Sequence, residues 1–160
     1  MRRLTLSEWA SLGELIGTVA VVISLLLVVV SIRQNTEALH GNTDNLIFER
    51  HSALSAQIIA DHSLAAILAK KQLGSEPLDA VELIRWSKYI ESLLDIWAIA
   101  YTRRQENLLD ERQWRAWDQY FKTTFSAGPE KLSHANWQHY EYGYDAGFWE
   151  HVRASLFDAP

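Results

Sequence analysis

Cysteine is absent from this 160-residue chain, and proline occurs only three times. Without cysteine the chain can form no disulfide, no thiolate nucleophile and no Cys-bound zinc site. The absence suits a reducing compartment, and for that reason we expect the part of the chain that follows the apolar segment described below to be cytoplasmic. Glycine is also scarce, at seven residues, so long helices can form without interruption.

Positive charge is in short supply as well. The chain has 15 Lys and Arg against 20 Asp and Glu, which gives a formal net charge of −5. Binding to nucleic acid requires a basic face that neutralises phosphates, and no block of basic residues supplies one. We therefore expect no nucleic-acid partner.

One stretch without charge stands out near the N-terminus. Residues 15–32 read LIGTVAVVISLLLVVVSI. Helical residues rise by about 1.5 Å each, so this segment covers roughly 27 Å, close to the hydrocarbon thickness of a bilayer. A cleaved signal peptide is the alternative, but the segment ends in VVVSIRQN, which is a poor cleavage site. The sequence predicts an N-terminal region, 1–32, that contains a single transmembrane helix in contact with membrane lipid.

Small residues recur along this predicted helix. Gly13 and Gly17 form a G-x-x-x-G pair, and Ala20 and Ser24 extend nearly the same stripe. Small side chains allow a second transmembrane helix to approach closely, so these four residues are candidates for helix–helix packing. The alternative is that they reflect the ordinary frequency of glycine in membrane helices.

The apolar segment leads into a second helical pattern over residues 33–60. Its apolar positions follow helical spacing: Ile32, Leu39, Leu46, Ile47, Leu54 and Ile58. Polar residues lie between them, and the pair Asn35-Thr36 returns seven residues later as Asn42-Thr43. Polar residues at a helix seam can fix register and oligomer number, so Arg33 and these four residues are candidate assembly residues. The alternative is that they contact later helices of the same chain or water.

Residues 61–160 predict a helical bundle. Aspartates precede four apolar-periodic stretches, and each is a candidate N-cap: Asp61, Asp79, Asp110 and Asp145. Gln113, three residues after Asp110, suggests a capping box there. Steps of three and four also connect the apolar residues of two longer helices: Leu83, Ile90, Leu94, Trp97, Tyr101 and Leu108, then Trp114, Trp117, Phe121 and Phe125. Nothing alternates as a strand would. The expected fold is all-α, in which the transmembrane helix continues into the amphipathic one and packs with about four further helices.

The C-terminal segment is unusually aromatic. Trp137, Tyr140 and Tyr144 lie close together in sequence, ahead of Phe148 and Trp149. Tryptophan and tyrosine favour both protein cores and interfaces. We expect these residues to close the core of the bundle, and the alternative is that Trp137, Tyr140 and Tyr144 form a partner surface.

Several of these features occur together in a known group of proteins. A membrane span ending in Ile32-Arg33-Gln34-Asn35-Thr36, an Asp61-led helix, and Leu109-Asp110-Glu111 before Trp114 resemble a large group of small bacterial membrane proteins of unknown function. Membership implies one transmembrane helix and a compact helical domain. It implies no activity, substrate or catalytic residue.

Few residues predict chemistry. Arg33 and His40 fit the Arg-x6-His signature of HEPN ribonucleases, and some membrane accessory proteins of RNA-guided defence systems join one span to such a domain. However, a cation at the bilayer edge is expected in any case. His134 and His139 do not have the spacing of metal ligands on one helical face. We therefore predict no catalytic residue, no cofactor and no metal site.

The leading hypothesis is a non-enzymatic, single-pass membrane protein that acts as an assembly or accessory subunit. Its partners would be further copies of itself or other membrane subunits. A homo-oligomeric pore, with the Asn-Thr pairs lining a wet vestibule, is the alternative. A membrane-tethered effector that binds RNA is a third.

Overall fold

A computed structural model describes residues 6–74 and 76–158, with no side chains described at 6–8, 10–12, 40, 44 and 135. Over these ranges the chain is all-α and contains no strand, which confirms the predicted class. The helices are α1 (Leu6–Ala60), α2 (His62–Leu73), α3 (Ala80–Gln105), α4 (Glu111–Ser126), α5 (His134–Tyr140), a 3-10 helix (Glu141–Gly143) and α6 (Ala146–Leu156).

The chain divides into two compact units, Met1–Leu39 and His40–Pro160. The first contains the apolar part of α1. The second, which we call the bundle, contains the rest of α1 and all later helices. The division falls inside the amphipathic stretch predicted over 33–60.

Aspartate side chains mark the start of each of the four longer helices after α1. At α2, Asp61 Oδ1 accepts hydrogen bonds from the backbone N–H groups of Ser63 and Leu64, at 2.9 and 3.3 Å. Asp79 and Asp110 cap α3 and α4 in the same way, and at α6 Asp145 accepts one such bond, from the N–H of Gly147. These bonds satisfy N–H groups that have no partner within the helix, so the predicted caps are confirmed.

The reciprocal capping box lies at α3 and not at the position that the sequence suggested. The backbone N–H of Asp79 donates to Glu82 Oε2 at 3.0 Å, while the Asp79 carboxylate accepts from the N–H of Glu82 at 2.8 Å. At α4, Asp110 accepts from the backbone of Arg112 and Gln113. Gly74 ends α2 with a left-handed φ of 61°, a conformation that glycine adopts without strain.

The bundle core is centred on Trp97 of α3. Phe121 and Phe125 of α4 stack near it with ring centroids 5.8 Å away, and Phe148 of α6 meets it edge-on at 5.6 Å. Ile47, on the part of α1 that belongs to this unit, is fully buried in the same core. Burial of large rings at these distances supplies most of the driving force for folding.

Two positions of the predicted α3 stripe lie outside this core. Leu83 is 53% exposed, near the start of the helix. Leu108 follows the end of α3 at Gln105, in the turn that leads to α4. The apolar spacing therefore predicts a buried stripe that is about one turn longer at each end than the stripe in the structure. Periodicity alone does not show where the helices that cover α3 end.

Candidate functional site

The apolar part of α1 is not covered by any described residue of its own unit. Between residues 15 and 32 the large aliphatic side chains are 49% to 64% exposed. α1 is long and apolar enough to cross a membrane, and it is the one such helix in the described part of the chain. Aliphatic surface of this extent is unfavourable in water and favourable in lipid.

The candidate packing stripe is open. A Cβ atom added at Gly13 or Gly17 would meet nothing within 4 Å, and Ala20 and Ser24 are exposed. The Ser24 hydroxyl donates to the carbonyl oxygen of Ala20 at 2.8 Å, so it needs no other partner in an apolar surrounding. The stripe can therefore accept a neighbouring helix without leaving a polar group unsatisfied.

The candidate assembly residues differ in their surroundings. Arg33, Asn35, Thr36 and Asn42 are exposed, and the Thr36 hydroxyl donates back to the Ile32 carbonyl oxygen at 3.0 Å. Thr43 is only 6% exposed and lies within the bundle. Thr43 therefore follows the alternative reading, in which it contacts its own chain, because neighbouring helix positions point about 100° apart and one of this pair turns inward. The His40 side chain, which the Arg33–His40 hypothesis requires, lies outside the described residues.

The aromatic C-terminal segment mostly belongs to the core. Trp137 is fully buried, and its ring stacks on that of Tyr144 with centroids 6.2 Å apart. The alternative of a partner surface is therefore wrong for Trp137. Tyr140 and Tyr144 are half-buried, and the Tyr144 hydroxyl donates to Asp95 Oδ1 at 3.0 Å. Burial raises the pKa of both tyrosines above their ordinary value.

Sequence reasoning missed the main polar feature of the bundle, which is Asp118. This carboxylate is 8% exposed and binds three donors. Its Oδ1 lies 3.1 Å from Trp97 Nε1 and 2.7 Å from His151 Nε2, and its Oδ2 lies 2.6 Å from Lys122 Nζ. Burial acts to raise the pKa of Asp118, but the hydrogen bonds from His151 and Lys122 outweigh it and hold the pKa below its ordinary value. We call this cluster the Asp118 centre.

A His–Asp pair is also found in hydrolases, so its surroundings matter. The His151 ring is enclosed by three others, with centroids 5.7 Å from Trp97, 5.4 Å from Tyr101 and 5.3 Å from Trp114. Its Nε2 is already bound to Asp118. A general base needs a nearby nucleophile, and the groups in contact with His151 are Asp118 and the three aromatic rings. The geometry fits a polar connection between α3, α4 and α6.

A second histidine connects α1 to α4 within the bundle. His51 Nε2 lies 2.9 Å from the Tyr120 hydroxyl, and its ring centroid is 5.6 Å from that of Trp117. Partial burial lowers the pKa of His51 below its ordinary value of 6.5. The folded bundle therefore favours the neutral form of the imidazole.

This shift predicts a pH dependence of stability. Since the folded-state pKa of His51 is lowered, its contribution is complete above pH 6.5 and is lost as the pH falls through the folded pKa. We expect the free energy of unfolding to drop between about pH 7.5 and about pH 5.5, and to drop less in His51→Gln. Urea unfolding at both pH values measures this. His62→Gln, at an exposed histidine of α2, is the control and should leave the full drop in place. An equal drop in His51→Gln and in the unchanged protein would contradict the assignment.

The remaining histidines considered as ligands lie in separate contacts. The His134 ring packs on Phe157 at 5.5 Å, and the His139 ring packs on Tyr140 at 5.3 Å. Among the described residues, no group of three or more His, Asp or Glu is arranged to hold a metal ion.

Comparison with models of known protein families, with curated proteins and with solved structures gives no significant match for this chain.

Proposed function

We propose that this protein is a non-enzymatic membrane subunit, anchored by α1 and engaged through it with a second transmembrane helix. The observation that carries the proposal is the open stripe at Gly13 and Gly17, where an added Cβ would meet nothing within 4 Å. In lipid, association of helices depends on close packing of such small residues. The second helix belongs to another copy of this chain or to another membrane subunit.

The bundle supports a role without catalysis. The most buried carboxylate of the described bundle, Asp118, uses both of its oxygens within the bundle. A largely buried carboxylate that is bound by three donors from three helices fixes the arrangement of those helices. In this proposal the bundle is cytoplasmic, which the absence of cysteine favours, and it acts as the rigid part by which the subunit is recognised.

The pore alternative has weaker support. It needs the polar residues of the junction to line one face, and Thr43 is buried. Asn35, Thr36 and Asn42 remain exposed. We therefore favour assembly, and conductance becomes the question to ask if the particle proves to be a ring of identical chains.

The first experiment is the mass and composition of the particle extracted from its native membrane in mild detergent. A homo-oligomer, or a fixed ratio with other membrane subunits, is the expected result. A lone monomer would overturn the proposal.

A substitution at the stripe tests the contact itself. We expect Gly13→Leu combined with Gly17→Leu to weaken the association of the membrane helix by about tenfold or more, which corresponds to about 1.4 kcal/mol. Because nothing lies within 4 Å of either glycine, the change should not disturb the chain's own fold. Cross-linking yield as a function of protein-to-lipid ratio measures the association.

The matched control adds bulk to the opposite face of the same helix. Val22 lies about 180° from Gly13 around the helix, and its side chain is 51% exposed. Val22→Phe should leave cross-linking unchanged. Equal losses in both variants would show that bulk in general, and not the stripe, disturbs the association.

A further inference from the structure

A cavity of about 320 Å³ lies in the bundle between α2, the first half of α3, the segment after α4, and α5. Its walls are mixed: five apolar residues line it, Leu83, Trp86, Ile90, Pro129 and Leu132, together with six polar or charged ones, Lys71, Ser87, Glu130, Lys131, Asn136 and Tyr140. Ile90 and Leu132 are buried and form part of the fixed core, whereas Leu83 is 53% exposed. The volume is at the lower end of the range of about 300–1,000 Å³ for small-molecule sites.

Three charged residues line this cavity, two lysines and one glutamate. Lys71 and Lys131 both line it, and neither ammonium group has a carboxylate within ion-pair distance in the described part of the chain. The third charged residue, Glu130, accepts a hydrogen bond from the Tyr89 hydroxyl at 3.3 Å. The cavity therefore carries one more positive than negative charge, in a chain whose net charge is −5.

Lys71 is also held in place. Its Nζ lies 5.2 Å from the centroid of the Trp86 ring, a cation–π contact. Such a contact positions the ammonium group without neutralising its charge, so the group can still bind an anion. Asn136, which lines the same cavity, adds an amide that can donate.

From this combination we propose that the cavity binds a small amphiphilic carboxylate, with the apolar body against Leu83 and Trp86 and the carboxylate between Lys71 and Lys131. Small-molecule sites combine apolar side chains with placed polar groups, and this cavity has both. The two ammonium groups favour a ligand with an anionic head group. Hydrogen bonds from an ammonium to a carboxylate are charge-assisted and therefore stronger than those between neutral groups. The small volume fits a ring system or a short acyl chain. This inference goes beyond the proposed function and does not depend on it.

The test is calorimetric titration of the full chain in lipid nanodiscs, with empty nanodiscs as the blank. Naphthalene-2-carboxylate and octanoate are the probes, and naphthalene-2-carboxamide is the neutral comparison. We expect saturable binding of at least one carboxylate, about tenfold tighter than that of the carboxamide. The preferred probe distinguishes an aromatic ligand from an acyl ligand. Heat equal to the blank for both carboxylates, or equal affinity for the carboxamide, would overturn the proposal.

Two pairs of variants locate the binding. Lys71→Met with Lys131→Met should weaken carboxylate binding by about tenfold or more, whereas Lys88→Met removes an exposed ammonium group outside this cavity and should leave it unchanged. Leu83→Ser should also weaken binding, and Val81→Ser, at an equally exposed position outside the cavity, should not. All of these side chains except Lys131, on the loop after α4, lie on helices, and all are exposed, so folding is preserved and can be checked by circular dichroism. Affinity that is unchanged in the double lysine variant would sink the assignment.

Discussion

Asp118→Ala should lower the free energy of unfolding of the bundle by about 3 kcal/mol, because it removes the acceptor of three donors at once. Trp97 Nε1 would be left without a partner in the core, and His151 would lose its 2.7 Å contact. The Lys122 side chain is 31% exposed and can reach water, which keeps the cost at the lower end of the range for broken buried pairs. Urea unfolding followed by tryptophan fluorescence measures the loss, since every tryptophan except Trp9 lies in the bundle.

Asp158→Ala is the matched control for this change. Asp158 is exposed and follows α6, so its removal should alter stability by no more than about 0.5 kcal/mol.

The stability difference between Asp118→Ala and the unchanged protein also depends on pH. Because the folded-state pKa of Asp118 is lowered, its contribution is present above its ordinary pKa of 3.8 and is lost as the pH falls through the folded pKa. The free energies of unfolding of Asp118→Ala and of the unchanged protein should therefore converge in acid. A difference that stays constant as the pH falls below 3.8 would contradict the ionic role of Asp118.

Trp137→Ala should destabilise the bundle by about 3–5 kcal/mol, the usual cost of emptying a large buried aromatic site. The side chain is fully buried and stacks on Tyr144, so the space it leaves cannot be filled by water without further loss. Thermal or urea unfolding of the full chain measures the effect. A residue on a partner surface would behave differently, since its removal would weaken binding and leave stability nearly unchanged.

Tyr142→Ala provides the comparison within the same aromatic segment. Tyr142 is 90% exposed, so its truncation should change stability by no more than about 0.5 kcal/mol. Similar losses in both variants would mean that the segment folds as one unit whose stability does not depend on the burial of individual rings.

Local signals in the sequence predicted the helices well. The aspartate caps depend on hydrogen bonds within a few residues, so the residues that form them are adjacent in the sequence. The uncharged stretch of α1 was equally clear, because length and composition alone decide whether a helix can span a membrane.

Features that depend on distant residues were not predictable. Asp118 lies on the inner face of α4, four residues after Trp114 and three before Phe121, and that spacing is the one signal that could have indicated its burial. Its partner His151 lies 33 residues away on another helix. The two roles of tryptophan, in cores and at interfaces, are likewise indistinguishable from composition, so the sequence leaves both open for Trp137, which lies in the core.

The aspartate caps at Asp61, Asp79, Asp110 and Asp145 have a consequence for folding kinetics. Each cap defines a helix start from nearby residues, before any tertiary contact forms. Helical bundles are rich in local contacts and fold on a timescale of about microseconds to milliseconds, and caps of this kind favour the early formation of each helix. Such a bundle can complete its folding soon after it leaves the ribosome, so its aromatic side chains are exposed to water only briefly.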